Sequence, residues 1–286
     1  MEFHDWDPLY SAILADLGFE READEHARDV LATLVSDGGG APEQGPDTGA
    51  PASDAGAPAS DAGVHASDVG AHASDASDST DEQRSGSVAD AAGRPLSLDA
   101  IDVTGERVAI VGAGPSLEGE LDQVAAADSV VAASDAATVV RSAGLAVDCM
   151  VTDLDEEGDV ARELTVEGTP VAVHAHGDNQ AALRERVPEL TVEWVLPTTQ
   201  AEPVGPVVNP GGFTDGDRAA FLADHCGAGE LVFPGWDFDD PNVDPMKRRK
   251  LDWAERLLRW LERRRGDSFD VLDGRRAEID LSGIPE

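Results

Sequence analysis

Asp153 and Asp155 stand two residues apart at the end of a short apolar run, Cys149–Thr152. The run reads as a buried strand. Side chains at i and i+2 of an extended chain point the same way, so the spacing predicts two carboxylates aimed at one point just past the strand end. Two hard oxygen ligands there suit Mg2+, which is commonly held by one or two carboxylates plus substrate phosphates. In a chain this acidic a solvated loop would carry the same letters, so the pair needs company before it carries chemistry.

Company is present along the chain. The run Val-Ala-Ile-Val ending at Val111 leads into Gly112-Ala113-Gly114-Pro115-Ser116-Leu117. A strand, glycines and a helix starting near Ser116 predict free backbone amides beside an anion, with Gly114 and Ser116 contacting phosphate or substrate. Further polar clusters close other apolar runs: Asp135, then His176 with Asp178 and Asn179, then Asn209 with Asp215 and Asp217, then Asp237. Lys247, Arg248, Arg249 and Lys250 stand at a helix start, where cations oppose the helix dipole. Lys247 and Lys250 are the only lysines in the chain. A local charge choice against the rule points to another use, and phosphate is the natural one. Ion pairing with the acidic surface is the plain alternative.

Several chemistries are disfavoured. The dinucleotide fingerprint fails at Leu117, where its third glycine belongs. No Gly-x-Ser-x-Gly elbow supports serine hydrolysis, and no lysine follows a glycine loop in the Walker A manner. His174 and His176 lack further ligands at zinc-site spacing.

The elements that must position these groups follow from periodicity. Strands are predicted over residues 107–111, 129–133, 149–152, 169–174, 192–196 and 231–233, with helices between them. Short apolar strands that each end in a polar cluster predict an α/β fold: a mostly parallel sheet flanked by helices, with its site at the carboxyl edge. Residues 1–35 read as a helical segment divided at Gly18. Residues 36–94 read as a disordered acidic insertion, because their seven-residue repeat of Ala, Ser, Asp, Gly and Pro cannot bury enough surface. The main domain spans residues 95–266. Its last helix is capped by Asp244 and Pro245 and stopped by Gly266. Residues 267–286 read as a terminal hairpin or tail.

Composition bounds the rest. The 286 residues carry 58 acidic and 21 basic side chains, a net charge of -37. Charge spread so evenly reads as salt adaptation, with self-repulsion screened by concentrated salt. Nucleic acid is disfavoured as a partner, since binding it requires Lys and Arg to displace counterions. No apolar run approaches the ~20 residues of a membrane span, the N-terminus lacks a basic signal region, and two cysteines make no disulfide framework. A cytoplasmic protein without a membrane partner is predicted. Composition leaves the oligomeric state open, a homo-oligomer included.

Taken in order, the blocks resemble a known family. Asp135 after a strand, Thr152-Asp153-Leu154-Asp155 and Gly211-Gly212-Phe213-Thr214-Asp215 resemble the landmarks of thiamine pyrophosphokinases. With Gly112–Leu117, His174-Ala175-His176-Gly177-Asp178-Asn179 and Asn209-Pro210-Gly211-Gly212-Phe213-Thr214-Asp215-Gly216-Asp217-Arg218, the chain is more similar to the archaeal 6-hydroxymethyl-7,8-dihydropterin pyrophosphokinases. The resemblance implies a thiamine pyrophosphokinase-like fold. It also implies ATP- and magnesium-dependent transfer of diphosphate to a reduced pterin, with release of AMP, in folate- or methanopterin-type cofactor synthesis. In such a reaction Asp153 and Asp155 are expected to hold Mg2+, and Gly211 and Gly212 to let backbone approach phosphate. Thr214, Asp215 and Asp217 lie in the same block. Lys250 or Lys247 would offset charge, and Asp135, Asp178 or Asn209 would hydrogen-bond the acceptor. Thiamine as acceptor, a glycosyl-transfer protein on the same sheet, and an inert binding module are the alternatives.

Overall fold

Apolar runs of four or five residues leave their backbone groups unpaired unless strands find each other, and in this computed structural model six do. It describes residues 2–37, 93–155 and 159–284. The strands are β1 (Arg107–Val111), β2 (Ser129–Ala133), β3 (Cys149–Thr152), β4 (Val171–Ala175), β5 (Val195–Thr199) and β6 (Glu230–Val232). They form one parallel sheet in the order β5-β4-β3-β2-β1-β6. The chain therefore steps outward from β1 to β5, then returns to place β6 on the other side of β1. All six strands end on one edge, so every loop after a strand is available to one site.

Strand alternation divides the core into two layers. Val108, Ile110, Val131, Cys149, Val151, Ala172 and Leu196 face one layer, with helices α1 (Phe3–Leu17), α7 (Asp215–His225) and α8 (Pro245–Arg265). Ala109, Val111, Val130, Ala132, Met150, Val171 and Val195 face the other. That layer holds α2 (Arg21–Asp37), α3 (Leu121–Ala125), α4 (Ala136–Ser142), α5 (Val160–Glu167) and α6 (Gln180–Arg186).

The N-terminal pair thus straddles the sheet at its β5 edge. Gly18, in the left-handed region at φ 80°, closes α1 and reverses the chain. Trp6, Leu9, Tyr10 and Ile13 are fully buried, and at about 1.5–3 kcal/mol each they make α1 part of the core. Leu96 N–H on the Val195 carbonyl and Val208 N–H on the Pro197 carbonyl cover the rest of that edge.

Three sequence expectations need comment. The segment 192–196 opens with a 3-10 turn, Val192–Trp194, and pairs only from Val195, where the register with Val171 begins. No strand occurs among the described residues of 267–284, so the terminal hairpin is corrected. A 3-10 turn at Asp270–Leu272 stands there instead. Phe269 and Leu272, three apart, both go into the core, while Arg276 folds back onto Glu262 at 2.7 Å. The insertion expected at 36–94 falls almost wholly outside the described residues. Among the described residues no helix is long and apolar enough to cross a membrane.

Candidate active site

The carboxyl edge of the sheet opens into a cleft of about 400 Å³. Each strand end supplies a wall: Gly112 and Gly114 after β1, Ser134 after β2, Asp153 and Asp155 after β3, His176 after β4, Gln200 after β5, and Trp236 with Asp237 after β6. The N-terminal ends of α7 and α8 complete it with Thr214, Asp215, Arg218, Lys247 and Lys250. Phe213, Trp236 and Phe238 give it flat apolar sides.

Asp153 and Asp155 do meet in this cleft, but not by strand pleat. Leu154 between them is buried and left-handed at φ 61°, its N–H held by the Thr152 hydroxyl at 3.0 Å. The chain turns there, and Asp155 N–H donates back to Asp153 Oδ1 at 3.3 Å. A non-glycine residue in this conformation carries strain that the surroundings must offset. Burial works against charge on Asp153. Hydrogen bonds from His176 and Asp155 and the nearby Arg218 nonetheless hold its carboxyl well below the usual carboxylate range. Asp155 is pushed the other way, up to about 6, by its hydrogen bond with Asp153, by burial, and by the charges of Asp153 and Asp215. The charge on Asp153 thus opposes ionisation of Asp155.

The His176 ring supports this pair. Its Nδ1 accepts the Asp178 N–H at 3.4 Å, which leaves Nε2–H to donate to Asp153 Oδ2 at 3.1 Å. Asn179 is buried and structural: its Nδ2 donates to the Asp153 and His174 carbonyls, both at 2.7 Å. The side chain of Asp178 is exposed outside the cleft.

Leading into α7, Asn209 forms an Asx turn, donating to the Ala201 carbonyl and accepting from Gly211 N–H at 2.9 Å. At Gly212, φ 92°, a Cβ would lie 2.5 Å from the Arg218 Cα, so only glycine fits. Asp217 closes a capping box with Thr214 and is fully buried, its carboxyl pushed up by that burial. Asn209, Gly211, Gly212 and Asp217 thus build the turn and do not line the cleft. Asp215 does line it. Ser134, itself left-handed at φ 45°, donates to Asp215 at 2.5 Å, and Arg218 donates at 2.7 Å. Burial and the charge of Asp153 push the Asp215 carboxyl up.

The glycine loop after β1 departs from expectation. Gly112 N–H donates to the Pro234 carbonyl and Gly114 N–H to the Gly235 carbonyl, both at 2.9 Å. Ser116 N–H donates to Asp237 at 2.8 Å. Those three amides are spent on joining the β1 and β6 loops. A 3-10 turn, Leu117–Gly119, follows where a helix start was expected. Gly114 lines the cleft and Ser116 does not; nor does Asp135, exposed at the start of α4.

The basic cluster divides. Arg248 donates to the Phe238 and Asp240 carbonyls and Arg249 to the Asp16 carbonyl. Lys247 and Lys250 make no ion pair among the described residues and face the cleft. Gln200, Arg218, Ser134 and Trp236 are cleft residues that the sequence does not mark as functional. Arg218 lies inside the glycine block and Ser134 and Trp236 stand in the stretches that close β2 and β6, whereas no local signal points to Gln200.

Among the described residues no three His, Cys, Asp or Glu side chains are grouped as a metal cage. Asp153 and Asp155 fit a metal that keeps most of its shell for water and substrate oxygens, as magnesium does.

Residues 95–243 match a family model described as 6-hydroxymethylpterin diphosphokinase MptE-like. Three curated relatives carry the name 6-hydroxymethyl-7,8-dihydropterin pyrophosphokinase. That of Methanothermobacter thermautotrophicus is 41% identical over 202 residues, covering 64% of this chain and 86% of the relative. The Pyrococcus furiosus protein is 40% identical, covering 55% and 72%. The Methanocaldococcus jannaschii protein is 32% identical, covering 56% and 76%.

Proposed function

The chain belongs to the MptE-like family of 6-hydroxymethylpterin diphosphokinases, and on that premise we propose that it transfers diphosphate from ATP to the hydroxymethyl group of 6-hydroxymethyl-7,8-dihydropterin, releasing AMP. One observation carries the reading to this cleft. A close carboxylate pair, two lysines without ion partners among the described residues, and an aromatic wall meet at the carboxyl edge of the sheet.

In this reaction the acceptor hydroxyl attacks the β-phosphorus in line. An oxygen–phosphorus bond forms to the pterin, the bond from the β-phosphorus to the bridging oxygen breaks, and AMP leaves with that oxygen. The protein's part is positioning and charge neutralisation. Lys247 and Lys250 bring positive charge to the diphosphate and the departing AMP. Asp215, held by Ser134 and Arg218 at the cleft wall, would accept the hydroxyl proton. Phe213, Trp236 and Phe238 offer faces for flat rings. Asp153 and Asp155 would hold Mg2+, which would supply charge neutralisation at the phosphates.

The test is turnover with ATP, the pterin and magnesium, with nucleotide products separated. AMP and the pterin diphosphate in equal amounts are expected. ADP would mean attack at the γ-phosphorus and an ordinary kinase. Turnover of thiamine in place of the pterin would move the reading to the thiamine alternative.

A further inference from the structure

Asp24 is a carboxylate only 4% exposed, yet no Arg or Lys pairs with it among the described residues. A buried charge without a counter-ion is expensive and must be met by hydrogen bonds. Three are present: the Tyr10 hydroxyl at 2.6 Å, Gln200 Nε2 at 2.7 Å and Gly177 N–H at 2.7 Å. Asp24 lies on α2, outside the residues 95–243 that match the family model. Two of these partners, Gly177 and Gln200, lie just past the ends of β4 and β5.

We propose that Asp24 is a positioning residue that sets the cleft from the N-terminal helix pair, a proposal that rests on the pyrophosphokinase reading above. The key is the direction of one amide. Because Gln200 donates through Nε2 to Asp24, its Oε1 is left to accept from Arg218 at 3.2 Å. Arg218 in turn donates to Asp215 at 2.7 Å. The second arm runs through Gly177, which directly follows His176, the donor to Asp153. α2 comes so near this turn that a Cβ on Gly177 would stand 2.7 Å from the Ala23 Cβ. One carboxylate thereby fixes the groups that hold Asp215 and Asp153.

Hydrogen-bond polarity gives a test that packing alone would not pass. Asp24→Asn sets an N–H2 either against Gln200 Nε2 or against Gly177 N–H, so one arm is broken whichever way the amide turns. In the first case the amide of Gln200 must reverse and point a donor at Arg218. Gln200→Glu instead sets two carboxylates together. When the two changes are combined, the new amide at position 24 can donate to the new carboxylate at position 200 and to the Tyr10 oxygen while still accepting from Gly177. The carboxylate at position 200 keeps an oxygen for Arg218. Total charge equals that of the wild type.

The experiment measures kcat, KM and unfolding midpoint for the full-length wild type, both single variants and the double. Each single variant is expected to lose roughly 10- to 100-fold in kcat, the scale of a misplacement near 1 Å, with KM for ATP and pterin within about threefold. The double is expected to return to within about threefold of wild-type kcat. Wild-type kcat in Asp24→Asn overturns the proposal. So does a double variant that stays as slow as the singles, or that does not fold, since restored polarity should restore both. If a single variant fails to fold, a folded double with wild-type kcat still supports the proposal. Wild-type protein that turns over neither substrate rejects the reaction itself, and the positioning role with it. An active wild type with no rescue rejects the positioning role alone.

Discussion

The two ends of α8 use charge in opposite ways. At its C-terminal end Glu262 is 1% exposed and fully answered. It accepts from Arg276 through two nitrogens at 2.9 and 2.7 Å, from Phe269 N–H at 2.7 Å, and from Arg259. Burial opposes its charge, but these donors hold its carboxyl below the usual range. Arg265 is likewise paired, with Asp224 at 2.6 Å and Asp267 at 2.8 Å. At the N-terminal end Lys247 and Lys250 oppose the dipole and face carboxyls that repel one another. A region built for stability satisfies its charges internally. The cleft leaves the matching undone, as the proposed hold on a charged ligand requires.

Removing charge at each end should separate these roles. The double change Asp153→Asn/Asp155→Asn is expected to lower turnover by roughly 100-fold or more, an amide being a weak uncharged ligand. The unfolding midpoint should move little, since relief at Asp155 offsets the loss of charge that His176 and Arg218 hold on Asp153; a large fall would return the pair to a structural role. Glu262→Gln should do the reverse, destabilising by about 2–4 kcal/mol in denaturant titrations because Arg259 loses its counter-charge and Arg276 keeps only the exposed Asp273. Its kcat per folded molecule should match the wild type.

Smaller effects sharpen the contrast. Lys250→Ala is expected to reduce kcat/KM for ATP about tenfold, while stability moves by no more than about 0.5 kcal/mol and in the favourable direction, as removing a cation from a helix start should. Unchanged kinetics in Lys250→Ala and Lys247→Ala would make this end ordinary surface. The last prediction concerns pH. Glu262 has a folded pKa below its unfolded value, so its stabilisation is fully present above about 4.5 and is lost as pH falls through the folded pKa. The stability gap between wild type and Glu262→Gln should therefore be flat above pH ~5 and narrow below it. A gap that widens on acidification would contradict the pairing.

Much of this arrangement was legible in the sequence. Val-Ala-Ile-Val before Gly112 and the Asp244-Pro245 start of α8 are local signals, and the elements begin where those signals stand. That Asp153 and Asp155 share the cleft was legible, but the reason was not, because Leu154 gives no sign of its left-handed turn. Asp135 and Asp178 look in sequence much like Asp215, yet only Asp215 lines the cleft: Asp178 is exposed in the turn before α6 and Asp135 is exposed at the cap of α4. Asp24 sits among Glu22, Glu25 and Asp29 on an acidic helix. Its burial depends on Tyr10 and Gln200, one 14 and the other 176 residues away, and no local pattern carries such a distance.

The joined loops after β1 and β6 have a consequence for how this molecule changes over generations. A Cβ at Gly112, Gly114 or Gly235 would lie 2.5, 2.4 or 2.2 Å from its nearest neighbour, so these positions admit no other residue without moving backbone. The amides of Gly112, Gly114 and Ser116 are already engaged, so this loop has none of those three to offer a ligand. A grip made of backbone is hidden from point mutation, whereas the proposed grip by the Lys247 and Lys250 side chains would be exposed to it codon by codon. On that proposal the frame is locked while the hold on nucleotide is open to selection.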